Sequence, residues 1–230
     1  MLSRPSILPC LLFLTMLGAA SVAAQGIAPA SITAHRVTAP PVLDGVDDEA
    51  SWRGVPSTDQ FREVRPREDG APLQRTAFRV GYDAQYLYVF VRLYDVRPDS
   101  IVGRLSRRDD QSVSDHVTVM IDSYHDKRTG FEFQVNPVGV KADYAIYNDG
   151  EEDSAWDAVW DVATKVDSLG WTAEYRIPFS QLRFAPKDEV TFGFMVWRNL
   201  QRFTAQVSWP IYRQSKTGFV SQFGELSGLV

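Results

Sequence analysis

Tyr86-Leu87-Tyr88-Val89-Phe90-Val91-Arg92-Leu93-Tyr94 is the stretch that decides the fold. Side chains along a strand alternate between its two faces. Leu87, Val89, Val91 and Leu93 therefore share one face, and Tyr86, Tyr88, Phe90, Arg92 and Tyr94 share the other. A strand that is apolar on both faces is a central one, covered on both sides. Just upstream, Asp83-Ala84-Gln85 reads as a short hairpin connection. Residues 76–82 before it alternate as the partner strand, with Ala77, Val80 and Tyr82 as candidates for burial.

The same pattern continues in both directions. Residues 117–121 form an apolar run, and Phe131, Phe133 and Val135 alternate with Glu132 and Gln134. Residues 140–147, 160–166, 171–177, 190–198 and 205–209 complete the series. Asp47-Asp48-Glu49-Ala50-Ser51-Trp52 reads as one helical turn that folds Trp52 inward, and residues 178–182 as another that starts on a proline. Many short strands between turn signals, without a long helical period, predict an all-β protein built as an antiparallel β-sandwich. The last residues, Phe223-Gly224-Glu225-Leu226-Ser227-Gly228-Leu229-Val230, still read as a strand. That strand either closes the sandwich or runs on into a longer protein.

The N-terminus reads as an export signal. Arg4 is followed by an apolar run over residues 7–20 and then by Ser21-Val22-Ala23-Ala24 before Gln25. This is the three-part layout of a secretory leader, and the run is too short for a lasting membrane span. The expected organisation is a signal peptide over 1–24, an Ala/Pro/Ser-rich linker over 25–36 that leads into an edge strand, and one domain over 37–230. Cys10 is the single cysteine and leaves with the leader, so the mature chain has no disulfide and no thiolate chemistry. The chain carries 24 Lys and Arg against 29 Asp and Glu, a net charge of −5. Losing Arg4 makes it −6. A net negative chain argues against nucleic acid as a partner.

Pro41-Val42-Leu43-Asp44-Gly45, followed by Asp48-Glu49 and Trp52, resembles the opening motif of family 9 carbohydrate-binding modules. Tyr82-Asp83 with Tyr86-Leu87-Tyr88-Val89 resembles their second motif. Residues 115–122, ending in Met120-Ile121-Asp122, resemble the strand that carries their binding groove. Gly170-Trp171-Thr172-Ala173-Glu174-Tyr175-Arg176-Ile177-Pro178-Phe179 resembles their late hairpin, and Ser208-Trp209 and Phe223-Gly224-Glu225-Leu226 resemble their closing strands. The resemblance covers about residues 37–226. It implies a non-catalytic, exported module that binds a glycan or polysaccharide in carbohydrate catabolism. Hydrolase terms reach such modules through the enzymes they travel with. The most similar subgroup is the N-terminal domain of bacterial outer-membrane barrel proteins. This implies a periplasmic or cell-surface location and a C-terminal barrel beyond this sequence. The alternative is a structural or interaction domain of such a protein, with no sugar site.

In that family the sugar lies between two tryptophan faces. The corresponding positions fall near Ser112 and Thr217, where Phe219 is the nearest ring. The family's acidic contact falls at Thr118 and its arginine at Gln134. The clamp is therefore not retained in its usual form. A rebuilt platform is expected instead from Trp197, Asn199, Gln134, Asn136 and Phe219, because Met195, Trp197 and Asn199 share one strand face and Gln134 and Asn136 share another. The competing reading of Trp197 is a core side chain.

The resemblance also implies structural calcium. Two acidic stretches are its candidates, Asp109, Asp110, Asp115, Asp122 and Asp126 in one and Asp149, Glu151, Glu152 and Asp153 in the other. A solvated acidic turn accounts for the second stretch equally well, and its spacing is not that of an EF-hand. No enzyme motif stands out. Nothing in the sequence brings Glu174 and Asp157 together as a hydrolytic pair, and His35, His116 and His125 fit no triad or zinc spacing. His116 and Met120, four residues apart on one strand, are too distant to face a haem iron from opposite sides.

Overall fold

A computed structural model describes residues 30–47, 50–110, 112–184 and 189–229. The signal peptide, Cys10, linker residues 25–29, Asp48-Glu49 and Val230 lie outside the described residues. The strands are β1 Ser31–Thr33, β2 His35–Arg36, β3 Arg62–Arg65, β4 Thr76–Tyr82, β5 Tyr86–Tyr94, β6 His116–Asp122 and β7 Gly130–Val135. They continue as β8 Lys141–Tyr147, β9 Glu151–Asp153, β10 Asp161–Asp167, β11 Gly170–Pro178, β12 Val190–Leu200, β13 Ala205–Trp209 and β14 Gly224–Leu229. Helical structure is limited, among the described residues, to single 3₁₀ turns.

Two sheets form, as an all-β sandwich requires. The smaller one runs β10-β11-β5-β4-β2, and the larger runs β1-β14-β12-β6-β7-β8-β9, with β13 and β3 added beside β12. The long strand β12 pairs with β6 along one edge. Its other edge is divided between β14 near its start and β13 near its end.

The stretch that decided the fold class behaves as its pattern requires. Val91 of β5 pairs with Ala173 of β11, Val89 with Tyr175 and Leu93 with Trp171. All six side chains are fully buried against Val117, Val119, Phe133, Phe194 and Val196 of the larger sheet. The opposite face of β5 is covered as well, because Tyr88 and Phe90 pack with Trp52, Val37 and Val55. The 3₁₀ turn Ala50–Trp52 delivers that tryptophan, and a second turn, Phe179–Gln181, follows Pro178 as expected.

Three features differ from the sequence reading. The sandwich is antiparallel except at β1 and β2, which add in parallel to β14 and β4. Part of the linker region, residues 31–36, thus serves as two short edge strands. Two strands, β3 and β9, had no readable period: β3 is four residues long with Arg62 and Arg65 exposed, and β9 is three exposed acids.

Glu174 holds the covering layer to the sheet. Its carboxylate is fully buried. It accepts from the Asp44 and Gly45 amides at 3.1 and 3.0 Å and from Trp52 Nε1 at 2.9 Å. Replacing Glu174 by Ala orphans three donors, two of them fully buried. The expected cost is about 3 kcal/mol or more, read as a shift of the urea midpoint, with Glu174→Gln costing less because its amide oxygen still accepts.

Candidate functional site

The outer face of the larger sheet carries an open cavity of about 490 Å³. Strand parity decides what faces it. On β12, Phe192, Phe194 and Val196 point between the sheets, so Met195, Trp197 and Asn199 point the other way. Register extends this into rungs. Trp197 lies opposite Thr118 of β6, and Thr118 opposite Gln134 of β7. The next rung carries Met195, Met120, Glu132 and Tyr144 of β8. Trp197, Thr118, Met120, Glu132 and Gln134 are the floor of the cavity.

The segment between β13 and β14 builds an aromatic wall. Tyr212 stands 5.6 Å from Trp197 between ring centroids, Phe219 stands 6.2 Å from Trp197, and Tyr212 and Phe219 are 5.4 Å apart. All three rings are half-buried. Trp197 therefore belongs to the groove face, where it packs beside Met120, Met195 and Val220, and not to the core between the sheets.

Several side chains hold the wall in place, among them Glu68 on Ser215, Asp69 on Arg213 and Ser208 on the Tyr212 amide. Asp149, in the β8–β9 turn, accepts from the amides of Phe219 and Ser221 and from the Ser221 hydroxyl at 2.8–3.0 Å. Burial works to raise this carboxyl, but the hydrogen bonds from Ser221, Phe219 and Val220 outweigh it and keep it below the ordinary aspartate range. Gln222 accepts from the Arg213 amide and donates to the carbonyls of Arg213 and Gly218. Gly218 turns the chain at φ +84°, where an added Cβ would lie 2.3 Å from the Asp149 carboxylate.

The structure brings together three of the five sequence candidates, Trp197, Gln134 and Phe219. Asn136 is buried and committed elsewhere. It donates to the Arg104 carbonyl at 2.8 Å and accepts from the amides of Val138 and Val140, so it ties a turn and does not face the cavity. Asn199 has the right parity, but its amide donates to the Ser114 carbonyl and to Gln201 Oε1, and it lies outside the lining. Tyr212, Gln206, Gln214, Arg65, His116 and Glu152 complete the lining and were not foreseen. The parity that marked Gln134 also marks Glu132. Tyr212, in an irregular segment, has no such signal.

Two titratable groups with displaced protonation sit in this lining, buried Glu132 and half-buried His116. Burial pushes the Glu132 carboxyl up to about 8, helped by the nearby negative charge of Glu152. Burial pushes His116 down to about 4, against an opposing hydrogen bond with the Ser114 backbone. For Glu132 the folded state holds its proton above the unfolded value of 4.5, so the associated stability is present below that pH and is lost as pH rises towards 8. For His116 the stability is present above 6.5 and is lost as pH falls towards 4. Glu132→Gln is expected to remove the decline between about pH 5 and 8, measured as melting temperature against pH beside the parent protein.

Several acids of the two stretches are bound to backbone amides, some in their own turn and some across the fold. Asp122 accepts from the amides of Asp126 and Lys127, Asp126 from Arg128 and Thr129, and Asp115 from Val102 and Gln201. Asp109 accepts from the Asp143 amide and Asp153 from that of Ala155. Among the described residues no three His, Cys, Asp or Glu side chains gather as a metal ligand set. These donors do not fit a calcium cage, which needs six to eight converging oxygens. Melting curves with and without a chelator are expected to coincide.

A β-sandwich with an open, aromatic-floored groove on one sheet has the build of a ligand-binding module. Residues 43–215 match the carbohydrate family 9 binding domain-like family, and the chain belongs to that family of binding domains. No curated protein is significantly similar in sequence. Among solved structures, a family 9 carbohydrate-binding module from Caldicellulosiruptor kristjanssonii in complex with glucose superposes with a TM-score of 0.61 at 22% identity, covering 87% of this chain and 97% of that one. The same organism's module in complex with cellotriose gives 0.60 at 20% identity, with 87% and 95% covered. A protein from Bacteroides uniformis gives 0.69 at 17% identity, with 88% and 100% covered. At these identities the likeness is one of fold.

Proposed function

We propose that this chain binds carbohydrate in the groove of its larger sheet and carries out no catalysis of its own. One observation supports this most directly. Trp197 is half-buried on the floor of an open cavity, with Tyr212 and Phe219 beside it and Gln134, Gln206 and Gln214 at hand. A sugar ring packs its C–H face on an aromatic plane, and its hydroxyls pair with amides. Family membership and the sugar complexes of similarly folded modules support the same reading. The leader-like layout of residues 1–24 supports export to the periplasm or the cell surface, where polymeric glycans are met.

Glucose and its β-linked oligomers are the first ligands to test by calorimetry, followed by a wider polysaccharide panel. Trp197→Ala is expected to weaken binding about tenfold or more, while far-UV circular dichroism and cooperative melting persist. Unchanged binding in that variant sinks the assignment of the groove. A flat response across the whole panel sinks carbohydrate binding and leaves an interaction domain.

A further inference from the structure

The groove has an acidic end that the described residues leave without a counter-charge. Glu132 is 6% exposed and lines the cavity, yet its Oε1 is buried with no hydrogen-bond partner among the described residues. Glu174, equally buried, shows the contrast, because it gathers three N–H donors. Natural proteins rarely leave a buried carboxyl oxygen unpaired, and such a group needs a reason. Glu152 of β9 lines the same cavity, and its charge reaches Glu132. Neither acid forms an ion pair with a described residue.

Among the described residues, the elements around Glu132 bring no cation to it. From β6 comes His116, which burial keeps neutral at pH 7. From β8 comes Tyr144, and from the aromatic wall Tyr212. Arg65 is the lining's arginine, but it belongs to β3, and β13, β12 and β6 stand between that strand and β7. At the usual strand spacing that is roughly 19 Å across the sheet. One end of the groove is therefore basic, the other acidic, and Trp197 lies between them. Cations are also favoured over aromatic faces, tryptophan most of all.

We propose that the groove selects a glycan that carries a protonated amine, held at the acidic end by the Glu132 carboxylate while Trp197, Tyr212 and Phe219 pack against sugar rings. This rests on the reading of the groove as a carbohydrate site. An ammonium supplies the donors that Oε1 lacks and the charge that two neighbouring acids call for. On binding, Glu132 gives up its proton to the buffer and pairs with the ligand as a carboxylate.

The test compares β-1,4-linked glucosamine oligomers with β-1,4-linked glucose oligomers of equal length. Calorimetry at pH 6.5 in two buffers of different ionisation enthalpy reads affinity and proton release together. The amine oligomer is expected to bind about tenfold tighter or more and to release protons. Glu132→Gln, nearly isosteric with the neutral acid it replaces, is expected to erase the preference and the proton release, with cooperative melting as the check on folding. Equal or tighter binding of the glucose oligomer overturns the proposal and leaves carbohydrate binding standing. A preference that survives in Glu132→Gln also overturns it. Failure of both oligomers, and of the wider panel, overturns the carbohydrate reading and this proposal together.

Discussion

The buried guanidinium of Arg198 fixes where everything on β12 points. Arg198 is 2% exposed and reaches from the larger sheet to the smaller one. It donates to the carbonyls of Arg75 and Tyr94 and to Thr76 Oγ1 at 2.9–3.1 Å. Burial pushes it down to about 10, with Asp115 and Asp95 acting against that drop. A charge so deeply placed is tolerable only with its donors satisfied. A one-residue slip of β12 would turn Arg198 out of the core and Trp197 into it. The same bonds that join the sheets therefore place the tryptophan on the outer face.

Parity then spreads from β12 to its neighbours. Thr118 and Gln134 take the groove face because Val117, Val119, Phe133 and Val135 fill the core. The groove floor is thus the reverse side of the sandwich core. The wall follows a different logic, because it is irregular chain held by the side-chain clamps of Asp149 and Gln222.

This division explains what could be read from the sequence. The strands with long, two-sided apolar patterns, β5 and β11 above all, were legible, and so was the sandwich they imply. The floor was legible in part, since alternation placed Trp197 and Gln134 correctly. Asn136 lies one residue beyond β7, where alternation no longer applies and its side chain bonds to the backbone of a turn. Asn199 had the correct parity but lay at a strand end, where neighbouring loops claimed it. Tyr212 escaped notice because its position depends on a loop path that no period encodes. Of the acidic residues, Asp122, Asp126 and Asp153 close turns, whereas Asp109, Asp115 and Asp149 bond to backbone amides across the fold.

The aromatic wall has both of its ends anchored in the larger sheet, at Trp209 of β13 and Gly224 of β14. Its hydrogen bonds run to the Asp149 turn, to Glu68 and Asp69, and within the segment itself, and Val220 and Phe223 pack on Met120, Ile146 and Met195. Residues 211–223 thus lie outside the core between the sheets, while Val220 and Phe223 fasten them to the outer face. New rings and lengths can be installed there while β12 continues to present its tryptophan. A scaffold arranged in this way can vary its groove rings apart from the residues that join its two sheets.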